Sequence, residues 1–122
     1  MEPLDVTGLL NIPYRDGGRG HDGVDCYGLV RLALQRVGVN LPSEPVNLTS
    51  GQAFFNAIEP DKRVFPGDLL ILNRPGVPTH AAIVVDGTMA LHATAESNSR
   101  LDRVDLLRRA YRVEIIARPK AQ

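Results

Sequence analysis

Asp22-Gly-Val-Asp25-Cys26-Tyr27-Gly28-Leu-Val-Arg-Leu-Ala-Leu-Gln-Arg-Val-Gly38 is the stretch from which the fold is read, because it puts the only cysteine where an amphipathic helix begins. Apolar side chains recur at Cys26, Leu29, Val30, Ala33, Leu34 and Val37, the spacing that lays one stripe along a 3.6-residue helix. Arg31, Gln35 and Arg36 fall on the opposite side. Asp25 is placed to cap the first turn by accepting from its free amides, and Gly38 to end the helix in the left-handed conformation.

A thiol at that position has a chemical consequence. The unpaired amides of the first turn and the helix dipole favour negative charge, and the thiolate is the nucleophilic form of cysteine. A free thiol pKa of about 8.5 falls to roughly 3.5–7.5 in such surroundings when a cation is also near. Asp25 opposes the shift only weakly, since a capping carboxylate turns back towards the amides. Read alone, Cys26 is better taken as a small buried hydrophobe.

The 122 residues fit one domain, 1–122, large enough to bury roughly two-thirds of the surface of the unfolded chain. At 43% hydrophobic and 23% charged the composition is globular, and a single cysteine excludes an internal disulfide framework. Met1-Glu-Pro-Leu-Asp lacks the basic, then apolar, start of a secretory signal, and no stretch approaches the length of a membrane span. The expectation is a soluble product, cytoplasmic on synthesis, with no membrane partner. Fourteen basic and fourteen acidic residues cancel, which argues against a nucleic-acid partner. The local excess of arginine after Arg100 reads as a solvated surface.

Val6 to Ile12 reads as a short helix or turn, and Pro13-Tyr14-Arg15-Asp16-Gly17-Gly18-Arg19-Gly20 as a loop running into the cysteine helix. Tyr14 can fold back beside the thiol and offer its hydroxyl, or simply pack under the loop. An irregular crossing follows Gly38, then a short helix capped by Thr49 or Ser50 and running through Ala57. Pro66-Gly67-Asp68 reads as a turn, Leu69 to Leu72 as a buried strand, and residues 73 to 79 as a loop.

Thr79-His80-Ala-Ala-Ile-Val-Val-Asp-Gly-Thr-Met-Ala-Leu-His92-Ala93 reads as a hairpin turning at Asp86-Gly87. A two-residue loop pairs Val85 with Thr88 and puts His80 and His92 on opposite faces. A three-residue loop ending in a glycine bulge pairs Val84 with Thr88, and so His80 with His92 on one face. Both turns fit the sequence. A thiol nucleophile needs a base for its proton and a second group to fix the ring of that base, roles that Cys26, His80 and His92 can fill. The plainer alternative is two histidines at strand ends with polar tips in water. Zinc ranks below catalysis because short-spaced ligand pairs are absent, and no metal or cofactor is expected.

Gly-Val-Asp25-Cys26-Tyr-Gly28-Leu-Val, Pro66-Gly67-Asp68-Leu-Leu, and the His80 to His92 block, in this order, resemble the NlpC-type family of cell-wall cysteine peptidases. The resemblance implies an α+β, papain-like fold in which a helix bearing the nucleophile packs on a small antiparallel sheet bearing the histidines. It implies hydrolysis of peptidoglycan stem peptides, typically at the bond from D-γ-glutamate to diaminopimelate. Cys26 is then the nucleophile, His80 the base and His92 the orienting residue. The Cys26 amide, in the unpaired first turn, would contribute to an oxyanion hole. Tyr14 and Asp25 correspond to the subsite that takes the free amine of the stem peptide. Tyr27 stands where many bacterial members have a small serine, and is assigned to substrate binding. The Asp-Cys-Tyr-Gly-Leu-Val form and the Pro13-Tyr14-Arg15 lead-in resemble the members associated with phage tails and related particles. Such a particle would supply the partner proteins and deliver the enzyme to the wall. The alternative from another class is a non-catalytic tail-assembly or tail-tip protein. An acyltransferase on a related fold is a third reading.

Overall fold

In the computed structural model, which describes residues 2–47 and 53–120, helix α1 spans Cys26–Gln35. Asp25 caps it: its Oδ1 accepts from the Gly28 amide at 2.7 Å, and Gly38 beyond the far end takes a φ of 81°. Val37 lies outside the helix and is exposed, so the stripe is shorter than the spacing predicts. Tyr27 and Leu32 are buried as well as Leu29, Val30, Ala33 and Leu34, because the crossing after Gly38 covers a second side of the helix. The Tyr27 hydroxyl donates to the Pro42 carbonyl (2.8 Å) and Arg31 Nε to that of Leu41 (3.0 Å), fastening that crossing down.

A two-stranded ribbon, β1 (Arg19–Gly20) and β2 (Gly23–Val24), leads into α1. It approaches so closely that a Cβ on Gly28 would collide with the Gly18 carbonyl oxygen. That clash is with backbone, which no rotamer change relieves, so the glycine after Cys26-Tyr27 is a packing requirement of the turn that carries the thiol.

The larger sheet comprises β3 (Phe55–Ile58), β4 (Leu69–Arg74), β5 (Val77–Val84), β6 (Met89–Thr94), β7 (Ser97–Arg103) and β8 (Arg112–Pro119). Their order is β3-β8-β4-β5-β6-β7, and each neighbouring pair is antiparallel. A second helix, α2 (Val104–Ala110), joins β7 to β8. Leu69, Ile71, Ala81, Ile83, Leu91 and Ala93 pack with α1, whereas Leu70, Leu72, Ala82, Val84, Ala90 and Ile116 pack with Val104 and Leu107 of α2. The unbroken apolar run Leu69 to Leu72 follows from this cover on both faces.

Three local expectations change. Phe55 to Ala57, expected in a helix, lie in β3, where pairing with β8 overrides helical propensity; the proposed caps Thr49 and Ser50 lie outside the described residues. Residues 73 to 79 are not a loop: β4 and β5 extend to a tight turn at Pro75-Gly76, Gly76 taking a φ of 77° and Arg74 pairing with Val77. Of the two forms read for Val6 to Ile12, helix or turn, the chain takes the turn, at Thr7-Gly8. The β5–β6 register follows neither turn weighed from the sequence: Val84 pairs with Ala90 and Ile83 with Leu91. Asp86 Oδ1 accepts from the amides of Thr88 (2.8 Å) and Met89 (2.9 Å), and the Val85 amide donates to the Met89 carbonyl (2.8 Å), which builds a loop of Asp86, Gly87 and Thr88, one residue further along than the second turn considered. The shift is by two residues from the second register, so His80 and His92 keep the same face as diagonal neighbours.

Candidate active site

Helix α1 packs on β5 and β6, which brings its first turn to the end of the sheet where those strands carry the histidines. Cys26 and His80 line a shared cleft of about 440 Å³ together with Tyr14, Asp25, Arg74, Glu96 and Tyr111. A smaller pocket of about 230 Å³ on the other side of the pair is walled by Tyr27, Val46, Ile71 and Thr79. Another hollow, between the β5–β6 loop and α2, contains neither thiol nor imidazole.

His80 and His92 are buried, and His80 Nε2 lies 2.9 Å from His92 Nδ1. His92 Nε2 in turn donates to Asp102 Oδ2 at 2.6 Å, and Arg100 Nε donates to the same oxygen at 2.9 Å. Burial works to raise the Asp102 pKa, but the hydrogen bonds from His92 and Arg100 outweigh it and hold the carboxyl below its usual range. On its outer side the His80 ring stacks on Tyr111, with centroids 5.8 Å apart, and the Arg74 guanidinium lies 4.8 Å from the Tyr111 centroid.

The expectation of a depressed thiol pKa is reversed. Burial, the largest effect, pushes Cys26 up; the Ala81 amide lowers it, the Asp25 charge adds to the rise, and the amides of Tyr27 and Cys26 lower it again. Burial also lowers His80 from 6.5 to about 4, with the charges of His92 and Arg74 acting the same way. The uncharged pair, thiol and neutral imidazole, is therefore the favoured form in the substrate-free site. The shift in His80 also links folding to pH. Its folded pKa lies below its unfolded value, so the stability is present above 6.5 and is lost as pH falls through the folded pKa of about 4. The gap corresponds to a loss of about 3 kcal/mol across that window. Melting temperatures of wild type and His80→Gln recorded from pH 7 to pH 4 should diverge, the wild type falling more steeply; parallel curves would refute the linkage.

Asp25 is already engaged. Its Oδ1 accepts from Gly28 N and from Arg19 Nη1 (2.7 Å), and its Oδ2 from Gly17 N (3.2 Å). The Tyr14 hydroxyl donates to Asp16 Oδ1 at 3.1 Å, while the Tyr27 hydroxyl is directed into the crossing, leaving its ring to line the smaller pocket. Asp102, Tyr111, Arg74 and Arg19 had no role in the sequence reading. Asp102 had no local signal: Ser97 to Arg103 holds a single apolar residue, Leu101, and only the pairing of β6 with β7, which sets Ala90 opposite Asp102 and Arg100 opposite His92, brings the carboxylate diagonally beside His92. Among the described residues no group of three or more His, Cys, Asp or Glu is arranged to hold a metal, and no helix is long and apolar enough to cross a membrane.

A thiol on the first turn of a helix, packed on an antiparallel sheet that carries imidazoles, defines a protein of the papain-like α+β class. Residues 11–114 match the NlpC/P60 family, and the chain belongs to it. That family includes peptidoglycan hydrolases, SagA among them. The NlpC/p60 domain of SagA is similar over 92% of this chain and 91% of its own, at 24% identity and a TM-score of 0.66. NlpC1 from Trichomonas vaginalis is similar over 96% of this chain at 23% identity and a TM-score of 0.73. An NlpC/P60 family protein from Bacillus cereus ATCC 10987 is similar over 95% at 20% identity and a TM-score of 0.66. The chain spans 42% and 40% of the latter two chains. Identities at this level speak for the fold. Among curated proteins, none matches the sequence.

Proposed function

We propose that the chain is a cysteine endopeptidase of peptidoglycan stem peptides, cutting between D-γ-glutamate and diaminopimelate. In this reading it is made in the cytoplasm and carried to the wall by a phage tail or related particle. The observation that carries the enzymatic reading is that the thiol shares a cleft with an imidazole whose far nitrogen is held by a second imidazole.

His80 takes the Sγ proton as the sulfur attacks the scissile carbonyl, and the oxyanion forms against the Cys26 amide. The proton then passes to the leaving amine, the C–N bond breaks, and water hydrolyses the thioester to release the acid and restore the thiol. Burial of the pair makes charge separation costly before substrate arrives, so proton transfer accompanies attack. Asp25 and Tyr14 receive the free amine of the peptide. With Arg19 already paired to Asp25, the ammonium joins a carboxylate that keeps part of its accepting capacity, and the anchoring is modest. Tyr27 narrows the smaller pocket.

Purified peptidoglycan digested with the protein and analysed by mass spectrometry should release fragments ending in D-γ-glutamate. A free L-Ala-D-γ-Glu-diaminopimelate peptide should show a kcat/KM several-fold above its N-acetylated form, since a held amine places the carbonyl for attack. Asp25→Asn should narrow that ratio. Equal rates on the two peptides would remove the amine subsite and leave the peptidase. No cleavage of peptides or of whole sacculi would instead favour a structural tail protein.

A further inference from the structure

We propose that Asp102 is a positioning residue which, acting through His92, fixes the tautomer of His80 so that its Nδ1 carries the lone pair available to the Cys26 proton. The inference rests on the reading of Cys26 and His80 as nucleophile and base, and it adds a fourth member, from β7.

The argument follows donors and acceptors along one line of atoms. An ionised carboxylate only accepts, so the 2.6 Å contact requires the hydrogen of His92 to be on Nε2. In a neutral imidazole the other nitrogen must then accept, which makes His92 Nδ1 an acceptor at 2.9 Å from His80 Nε2. His80 Nε2 therefore carries the hydrogen of that ring, and Nδ1 is left unprotonated. No hydrogen bond to His80 Nδ1 is found among the described residues. The base is thus poised by a carboxylate two rings away.

Three features keep this order of hydrogens from reversing. Arg100 Nε donates to the same Asp102 oxygen, which favours the carboxylate. His92 is 3% exposed, so water does not compete for its nitrogens. Tyr111, stacked on His80 at 5.8 Å, holds the ring in the plane that the His92 contact needs. The reverse order would put a hydrogen on His80 Nδ1 and leave the thiol without an acceptor.

The test uses the full chain, labelled with ¹⁵N, and long-range ¹H–¹⁵N correlation of the imidazoles above the pH at which they take up protons. Wild type should show both His80 and His92 protonated at Nε2. In Asp102→Asn the amide can donate to His92 Nε2, which moves the His92 hydrogen to Nδ1 and that of His80 to Nδ1. kcat on the stem peptide should fall roughly 10²-fold, with KM within about twofold. Asp102→Glu, which restores the carboxylate, should recover the wild-type tautomers and part of the rate. A wild-type His80 protonated at Nδ1, or tautomers and kcat unchanged in Asp102→Asn, would overturn the proposal. A chain that cuts no peptide but shows the predicted tautomers would retain the relay and refute the peptidase reading alone.

Discussion

The His80→Ala variant is expected to lose at least about 10³-fold in kcat/KM on the stem peptide, whereas His92→Asn keeps a measurable fraction. The difference follows from what each ring does. In the proposed mechanism His80, which lines the cleft with Cys26, takes the thiol proton, so removing its ring removes the base. His92 accepts from His80 Nε2 at 2.9 Å, and an asparagine carbonyl at the same position can also accept from that hydrogen. Asparagine cannot pass on the order imposed by Asp102, so the His92→Asn rate should become insensitive to Asp102→Asn. Single-turnover and steady-state rates of the two single variants and the double variant decide this. Equal, complete loss in both single variants would assign the histidines a common structural role. Far-UV circular dichroism on each variant shows whether the fold is kept.

Asp68→Ala should be the most damaging substitution to stability, with an expected loss of about 3 kcal/mol, the low end for breaking a buried ion pair. Asp68 is 1% exposed and follows the turn Pro66-Gly67. Both its oxygens are used: Arg118 donates Nε to Oδ1 and Nη2 to Oδ2, each at 3.0 Å, and the Phe65 amide donates to Oδ2 at 2.8 Å. Truncation leaves that amide without its partner and strands a guanidinium stacked 4.5 Å from the Phe65 centroid. Arg118 is 29% exposed and partly rehydrates, which is why the low end applies. For a domain of this size the loss corresponds to a fall in Tm of about 10 °C or more. Asp68→Leu combined with Arg118→Leu should recover much of it, because no charge is then left unpaired. A Tm within about 3 °C of wild type in Asp68→Ala would show that the pair contributes little.

The parts of the molecule most legible in the sequence were those whose signals are local. The cysteine helix was readable from the spacing of Leu29, Val30, Ala33 and Leu34, its start from Asp25 and its end from Gly38. Leu69 to Leu72 was readable as a buried strand because α1 and α2 cover both faces of the sheet and so remove any polar alternation. What failed depended on partners far along the chain. Phe55 to Ile58 is a strand only because residues 116–119 lie beside it, and the stretch after Arg100 reads as solvated charge until β7 is seen alongside β6. The hairpin register turned on three bonds from one aspartate, Asp86, to Thr88 and Met89, which the dipeptide Asp-Gly does not disclose. At the site, Cys26, His80 and His92 were named from residue type and position. Asp102 was hidden because its meaning comes from register, and the pKa of the thiol was misjudged because burial outweighs the amides around it.

The sheet order β3-β8-β4 has a consequence for how the chain is made. A ribosome delivers β4 long before β8, so the apolar edge of Leu69 to Leu72 has no neighbour on that side until residues 112–119 have emerged. β3 waits on the same strand, since β8 is its only partner among the described residues. The last in sequence of the described strands is thus inserted into the interior of the sheet, and a chain lacking it offers an open, sticky edge to whatever strand it meets first. Pairing of such distant segments closes large loops and sets a slow step. Folding of this sheet is therefore committed only once residues 112–119 are available, rather than as each earlier strand appears.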